Sequence, residues 1–379
     1  MKDVVGEAAV CVVGAGAMGL SAAYQLARRG TEVLVLERTY PGLESSAANA
    51  GTLGLQNKPL SSMPLVLRAI EMWRQFTDEL GEDVEYEKRG GFRLAHSPED
   101  VERLEKAVVA QRSVGVATEM IYQPELSRVA PYLGRDVTAG SYCADDGMAN
   151  PLASIRALLK GAVTSGVRIW NNSPVWGIEA LGDDDFLVRT PHGLVRCRAV
   201  LAAAGAWNGV VARMVGVSLP LTTDILQVVT TDVAPPILPH IVTHVRGNLT
   251  VKQSRDTGKV LIGGAWRGEG DPATGVKRVR RDSLVGNLAW ACHNIPGIAR
   301  ASLLRAWVGF EGRTPDKLLI CGSVGSPAGF HVLGCTGGGY TISPAAGLVA
   351  AQLILGEAAS IPVQPFEVQR LMRTSLTAP

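Results

Sequence analysis

The sequence predicts an α/β fold that opens with a nucleotide-binding βαβ unit and carries an antiparallel α+β insert later in the chain. Three observations support this. Val10-Cys11-Val12-Val13 runs directly into Gly14-Ala15-Gly16-Ala17-Met18-Gly19. A second apolar run, Thr31 to Leu36, ends at Glu37. Between Thr222 and Trp266 the pattern changes to alternating, strand-like runs.

Each part of the opening unit has a physical role. In a G-x-G-x-x-G turn the first glycine permits the tight turn, the second lets the backbone approach a pyrophosphate, and the third lets the helix lie close to the strand. Leu20 to Arg29 reads as that helix, its N-terminal N–H groups facing phosphates, with Gly30 ending it. Glu37 then emerges at the end of the next strand, where a carboxylate accepts both ribose hydroxyls and repels a 2′-phosphate. NADP is disfavoured, while NAD and FAD both remain open.

A polar loop follows, Glu44-Ser45-Ser46-Ala47-Ala48-Asn49-Ala50-Gly51, whose hydroxyls and amide suit phosphate oxygens. Pro64 to Leu80 has helical spacing, with Leu65, Ile70, Trp73, Phe76 and Leu80 along a core-facing stripe. Glu85 to His96 alternates as a strand, and Ser97-Pro98-Glu99-Asp100 predicts the N-cap of the next helix. Asn150-Pro151 starts another helix, and Val167 to Trp170 reads as a strand. Val175 to Leu181, Phe186 to Thr190 and Leu194 to Cys197 form a meander leading into the buried Ala199 to Trp207 strand and its glycine turn. Asp256-Thr257-Gly258 is a hairpin turn between Leu249–Gln253 and Val260–Gly264, and Val276 to His293 reads as a helix packed on that sheet.

Bulk properties narrow the class further. A chain of 379 residues accommodates two domains, and 46% hydrophobic against 19% charged residues describes a globular protein. A net charge of +2 gives no reason to expect nucleic acid, and the basic cluster Lys277 to Arg281 reads as a solvated helix start. Six cysteines without a C-x-x-C pair indicate neither a disulfide framework nor a zinc or iron–sulfur site, and fit a reducing compartment. The acidic N-terminus shows no cleavable-signal pattern, and the longest apolar helix candidate, Ala345 to Leu355, is too short to cross a bilayer. The expected location is cytoplasmic, with peripheral association at the inner membrane face left open.

The C-terminal region bears on the cofactor. Leu318–Gly322 and Phe330–Gly334 read as short buried strands, the second opening into Cys335-Thr336-Gly337-Gly338-Gly339-Tyr340-Thr341, with a helix starting at Ser343-Pro344. Consecutive glycines let the backbone approach a flat, bulky group and aim N–H groups at it, as the N1 and C2-carbonyl edge of a reduced flavin requires.

Taken with Ser45 to Gly51, Ala203-Ala204-Gly205-Ala206-Trp207, Trp307-x-Gly309, Thr314-Pro315-Asp316 and Ser343-Pro344-Ala345-x-Gly347, the chain resembles the FAD-dependent D-amino-acid oxidase family over nearly its whole length. That family includes glycine and sarcosine oxidases and D-amino-acid dehydrogenases. Leu249 to Gln253 and Gly309 to Asp316 look most like the flavoprotein subunits of hydroxyproline, opine and sarcosine dehydrogenase or oxidase complexes. The resemblance implies a Rossmann-like FAD-binding domain, residues 1–82, 143–216 and 300–379, with a discontinuous α+β substrate domain on an antiparallel sheet, 83–142 and 217–299.

It also implies site roles. Gly14, Ala15, Gly16, Ala17, Met18 and Gly19 would hold the pyrophosphate, and Glu37 with Arg38 the adenosine. Ser45, Ser46, Asn49, Ala50, Gly51 and Leu53 would line the path from phosphate to flavin, with Val175 at adenine and Gly205 and Trp207 near the cofactor. Gly337, Gly338, Gly339, Tyr340 and Thr341 would meet the flavin pyrimidine end. Cys335 stands where relatives often carry histidine and reads as a packing residue.

Two departures bear on the substrate. Glycine-oxidase relatives usually carry an arginine, then proline, where this chain has Glu311 and Gly312, and that arginine clamps the substrate carboxylate. Gly51-Thr52-Leu53 also lacks the basic residues that sarcosine oxidases place over the flavin. Lys252 pairing a carboxylate, Glu311 facing a cationic amine and Tyr340 are the candidate substrate contacts, against a solvated Lys252 and a Glu311 paired structurally with Arg313 or Arg305.

No His, Ser or Cys stands out as a nucleophile. The expected reaction is oxidation of the C–N bond of a D-amino or secondary amino acid, such as D-proline, hydroxy-D-proline, an opine or sarcosine, to an imine by hydride transfer to flavin N5. The enzyme would be a dehydrogenase, alone, as a homo-oligomer or with electron-transfer partner subunits, and any FMN or iron–sulfur centre would come with a partner. A self-sufficient oxidase releasing hydrogen peroxide, an NAD-dependent dehydrogenase and a non-catalytic nucleotide-binding subunit are the alternatives. The NAD reading leaves the C-terminal glycine loop without a role.

Overall fold

The computed structural model describes residues 4 to 374. Its first sheet has eight strands built around Val4–Val13. That strand lies parallel between Val33–Leu36 and Gly193–Ala202, and Arg168–Trp170 extends the sheet beyond Val33–Leu36. The outer edge of Gly193–Ala202 is shared. Phe186–Thr190 pairs antiparallel with its first half, and Phe330–Gly334 pairs parallel with its end.

Period-two patterning divides this sheet into two covered faces, as buried parallel strands require. Val10, Val12, Val33 and Val35 face one core, under the helices Ala17–Ala27, Met63–Leu80, Pro151–Thr164 and Gly339–Ile354. Cys11, Val13, Leu34 and Leu36 face the other, shared with Phe186, Val211 and Leu219. The stripe predicted on the second helix is buried throughout, with Trp73 fully enclosed. Close helix packing depends on Gly347, where a Cβ would lie 2.5 Å from the Ser21 Cβ.

Several local predictions are matched. The Ser97 hydroxyl accepts the Asp100 N–H at 3.2 Å, and the Asn150 carboxamide accepts from Leu152 and Ala153, caps that each stabilise a helix by about 1 kcal/mol. Thr250–Gln253 and Lys259–Gly263 form the expected hairpin.

Three elements differ from expectation. The strand expected over Glu85 to His96 is broken at Gly90, whose φ is +68°. Glu87–Lys88 joins a small sheet with Gly147–Met148 and Thr52–Leu53, whereas Gly91–Ala95 enters the large one. The helix expected from Val276 starts only at Arg281, because a turn closed by Gly275 N–H on Asp271 C=O pairs Val276–Arg278 with Glu269–Asp271. The helix expected from Ser343 begins at Gly339, so Pro344 lies inside it rather than at its start. Pro344 cannot donate to the Tyr340 carbonyl, and the Ser343 hydroxyl does so instead at 2.9 Å.

The second sheet also has eight strands, in the order Leu303–Arg313, Thr222–Val233, Lys259–Gly263, Thr250–Gln253, Ile241–His244, Gly91–Ala95, Ala139–Cys143 and Thr118–Tyr122. The helix Arg281–Asn294 packs on it through Ala291 and Leu288. Leu303–Arg313 was expected with the nucleotide-binding part; it pairs along its length with Thr222–Val233, from Leu303 opposite Thr231 to Arg313 opposite Thr222. The second sheet thereby delivers Glu311 and Arg313 to the wall of the first. Among the described residues no helix is long and apolar enough to cross a membrane.

Candidate functional site

One cavity of about 370 Å³ runs along the ends of the first sheet's parallel strands, where ligands bind in open α/β folds. Val13, Gly14 and Gly16 to Met18, the Glu37–Arg38 strand end, Ala203 to Trp207 and Leu333 to Thr336 all contribute to it. The glycine turn has the predicted geometry. Gly14 takes φ +106°, and a Cβ there would sit 2.7 Å from the Ala203 carbonyl oxygen. A Cβ on Gly19 would lie 2.1 Å from the Gly14 oxygen, so the third glycine sets how closely the helix approaches its strand.

Glu37 is anchored by that turn. Its carboxylate accepts the N–H of Ala15 and of Thr39, each at 2.9 Å. The Thr39 hydroxyl also donates to it at 3.3 Å, and since a carboxylate has about four acceptor positions, about one remains for a hydroxyl approaching from the cavity. Arg38, expected at adenosine, lies 3.7 Å over the Trp207 ring and pairs with Glu44 at 2.7 Å. Lys277 closes the same cluster on Glu44 and sits 4.9 Å from the Phe310 ring centre. Lys277 of the basic run therefore joins the cluster at the cavity rim, while Arg280 and Arg281 stand at the start of the next helix as expected.

The serine-rich loop is scaffolded by its own polar groups. Ser46 Oγ accepts the Ala17 N–H at 2.9 Å, and Ser45 Oγ donates to the Phe310 carbonyl. Asn49 donates to Ser45 and Ser46 carbonyls and accepts the Gly51 N–H at 2.7 Å. Trp307 Nε1 donates to the Ala48 carbonyl at 2.8 Å, tying the second sheet to this loop.

At the other end Asn208, fully buried, joins two chain segments that line the cavity. Its Oδ1 accepts the Ala204 N–H at 2.7 Å and its Nδ2 donates to the Leu333 carbonyl at 2.9 Å. Cys335 packs between them, its thiol donating to the Gly205 carbonyl and pushed up to about 12 by burial. That fits a packing residue rather than a reactive thiol.

Beyond it an ionic cluster forms around Gly337 and Gly338. Glu311 accepts from Arg313 at 2.9 Å and from the Gly338 N–H at 3.4 Å, and Arg313 also pairs with Asp224 at 3.0 Å. Lys58 Nζ donates to the Gly338 carbonyl at 3.1 Å. Burial pushes the Glu311 carboxyl up, against the opposing pull of Arg313. Burial likewise brings the Lys58 ammonium from 10.5 down to about 8, opposed by the negative charges of Glu311 and Asp146.

Gly14, Gly16, Ala17, Met18, Glu37, Arg38, Ser45, Ser46, Asn49, Val175, Gly205, Trp207, Glu311, Gly338, Gly339 and Tyr340 come together on the cavity wall. Ala15, Gly19, Ala50, Gly51, Leu53, Gly337 and Thr341 lie behind it and shape the backbone. Two of the three substrate candidates spend their polar groups elsewhere. Lys252 is 3% exposed, and its ammonium donates to the Ala149 carbonyl at 2.9 Å and the Gly51 carbonyl at 3.2 Å, so it is neither a solvated lysine nor part of the wall. The Tyr340 hydroxyl is buried against Ser154 Oγ at 2.7 Å. Lys58, Asp224 and Asn208 were not foreseen, since each acts on a distant stretch of chain and no local pattern marks it.

The wall suits an elongated dinucleotide. Two helices start on it, at Ala17 and Gly339, with glycine at each N-cap and no acidic residue in either first turn. Within the helices nothing acidic offsets these positive ends, and the one carboxylate that reaches the second, Glu311 on the Gly338 N–H, comes from the other sheet. The second helix start, far along the chain from the first, gives the cavity a site for a flavin that an NAD enzyme would not need. The fold and the site define a flavin-dependent oxidoreductase.

Comparison with known proteins identifies the family. Residues 9–353 match the family model of the DAO FAD-dependent oxidoreductases, and the chain belongs to that family. It is 26% identical to glycine oxidase of Geobacillus kaustophilus across 95% of this chain and 96% of the relative. It is 29% identical to one of the opine oxidase subunits of Rhizobium meliloti across 93% of this chain and 94% of that one. The crystal structure of the G. kaustophilus glycine oxidase superposes with a TM-score of 0.89 at 24% identity, over 97% of this chain and 99% of that one, which establishes the shared fold. The protein is an FAD-dependent oxidoreductase.

Proposed function

We propose that the chain oxidises the C–N bond of a small D-amino or secondary amino acid, such as D-proline, hydroxy-D-proline, an opine or sarcosine, as a dehydrogenase that passes electrons to a partner protein. The observation that carries this reading is the charged wall at the flavin end of the cavity, where Glu311, Arg313 and Lys58 surround Gly338. The similarity to glycine oxidase and to a component of an opine oxidase, over nearly the full length of each, supports an amino-acid substrate.

In this reading Gly14, Gly16, Ala17 and Met18 hold the pyrophosphate, and Glu37 holds the ribose. Gly338 and Gly339, at the start of the second helix, would hold the flavin pyrimidine, and the helix's positive end would stabilise negative charge there. FAD, when bound, supplies the acceptor for the electron pair. Glu311 faces the substrate ammonium, and the wall orients the α-C–H and limits water. Residues 1–82, 143–216 and most of 300–379 act as the cofactor domain, with Leu303–Arg313 contributed by the substrate domain's sheet.

The alternative, a self-sufficient oxidase, is favoured by the glycine-oxidase relative. Hydrogen peroxide release and artificial-dye reduction, measured with the same reducing substrate, separate the two. Dye reduction well in excess of peroxide formation is expected. Peroxide formation by the chain alone that matches dye reduction removes the dehydrogenase reading.

A further inference from the structure

We propose that Lys58 is the anchor for the substrate carboxylate, standing in for the arginine that Glu311 replaces. The inference deepens the amino-acid reading above and rests on it.

Two cations lean on adjacent glycines at the flavin end of the cavity. A Cβ on Gly337 would lie 2.1 Å from an Arg313 guanidinium nitrogen, and one on Gly338 would lie 1.9 Å from Lys58 Nζ. Both glycines therefore leave room for a charged tip that any side chain would displace. The two cations are not equivalent. Arg313 already holds two carboxylates, Asp224 and Glu311. Lys58 forms no ion pair with a carboxylate among the described residues, and its ammonium donates to the Gly338 carbonyl. An ammonium has three donors, so capacity remains for an incoming anion.

The arrangement also has polarity. Glu311 sits on the N–H of Gly338 and Lys58 on its C=O, so a negative and a positive group are held at the two ends of a single residue. An α-amino acid carries an ammonium and a carboxylate on the same scale. Its ammonium meets Glu311 and its carboxylate meets Lys58. Lys252, which is buried, is committed to two carbonyls, whereas the half-buried Lys58 sits beside the cavity-lining Gly338.

Charge at Lys58 is required for this, and the groups facing it are Glu311, Asp146 and Arg313. Carboxylate affinity should fall as pH rises through about 8, where the ammonium loses its proton.

The test uses the FAD-loaded protein and reads perturbation of flavin absorption on titration with propionate and with propionamide, its neutral analogue. Lys58→Met should weaken propionate at least about tenfold, the scale of a lost charged hydrogen bond, while leaving propionamide and FAD content unchanged. Lys58→Arg should restore most of the propionate affinity. The proposal is overturned by a wild-type protein with no saturable response to propionate, by equal weakening of both ligands, or by FAD loss in Lys58→Met. A failed amino-acid reading is distinguishable, because the flavin would then stay unreduced in the presence of every amino acid tested while propionate binding still depended on Lys58.

Discussion

The Glu37 carboxylate and the Ala15 N–H meet at 2.9 Å, so the end of the second strand is fastened to the glycine turn it must cooperate with. The other Glu37 oxygen takes the Thr39 N–H at the same distance. A glutamine in its place has only one acceptor oxygen and would turn an N–H₂ group toward one of these donors. Glu37→Gln should lower FAD affinity by roughly 10- to 100-fold, the range for hydrogen bonds to a charged group. Fluorescence titration of the apoprotein with FAD measures it. Unchanged affinity would place the adenosine elsewhere.

Lys252 gives a stability prediction with a definite sign. Burial holds its ammonium at about 7 in the folded protein, against 10.5 for the ordinary side chain. Between these values the unfolded chain binds more protons than the folded one, so this residue makes folding more favourable as pH rises. The stability of the wild type relative to Lys252→Met should increase from about pH 7 to about pH 9.5, by at most about 1.4 kcal/mol per pH unit. Urea unfolding of both proteins at the two pH values tests it. Parallel stabilities would mean that the buried ammonium titrates as it does in water.

The opening unit was legible because each of its requirements is local. Gly14 needs a positive φ, Gly19 a close approach and Glu37 a strand end, and all three are written close together in the chain. The cap residues Ser97 and Asn150 were legible for the same reason. Pro344 misled because the preference for proline in a first turn is statistical, and here the Ser343 hydroxyl replaces the missing N–H one helical turn later. Val276 to Arg278 misled because strand pairing with Glu269–Asp271 outweighed a weak helical pattern.

The charged wall was half legible. Glu311 was visible as a departure from a familiar pattern, and its partner Arg313 lies two residues on. Lys58 was not, because it sits in an irregular polar loop and acquires meaning only when the chain brings Gly338 to it, 280 residues later. Lys252 shows the opposite error. Its place in an alternating strand suggested solvent, but the carbonyls of Gly51 and Ala149 draw its ammonium inside.

In the proposed function a flavin bound across the two helix starts takes electrons from a small amino acid. Anaerobic mixing of the purified FAD-loaded protein with glycine, sarcosine, D-proline, hydroxy-D-prolines and opines, followed by the flavin absorption band, tests this most directly. At least one member of the panel should bleach the band, and the amide of that member should bleach it far more slowly. A flavin that stays oxidised with every member would contradict the account and leave the chain a nucleotide-binding protein without amino-acid oxidation.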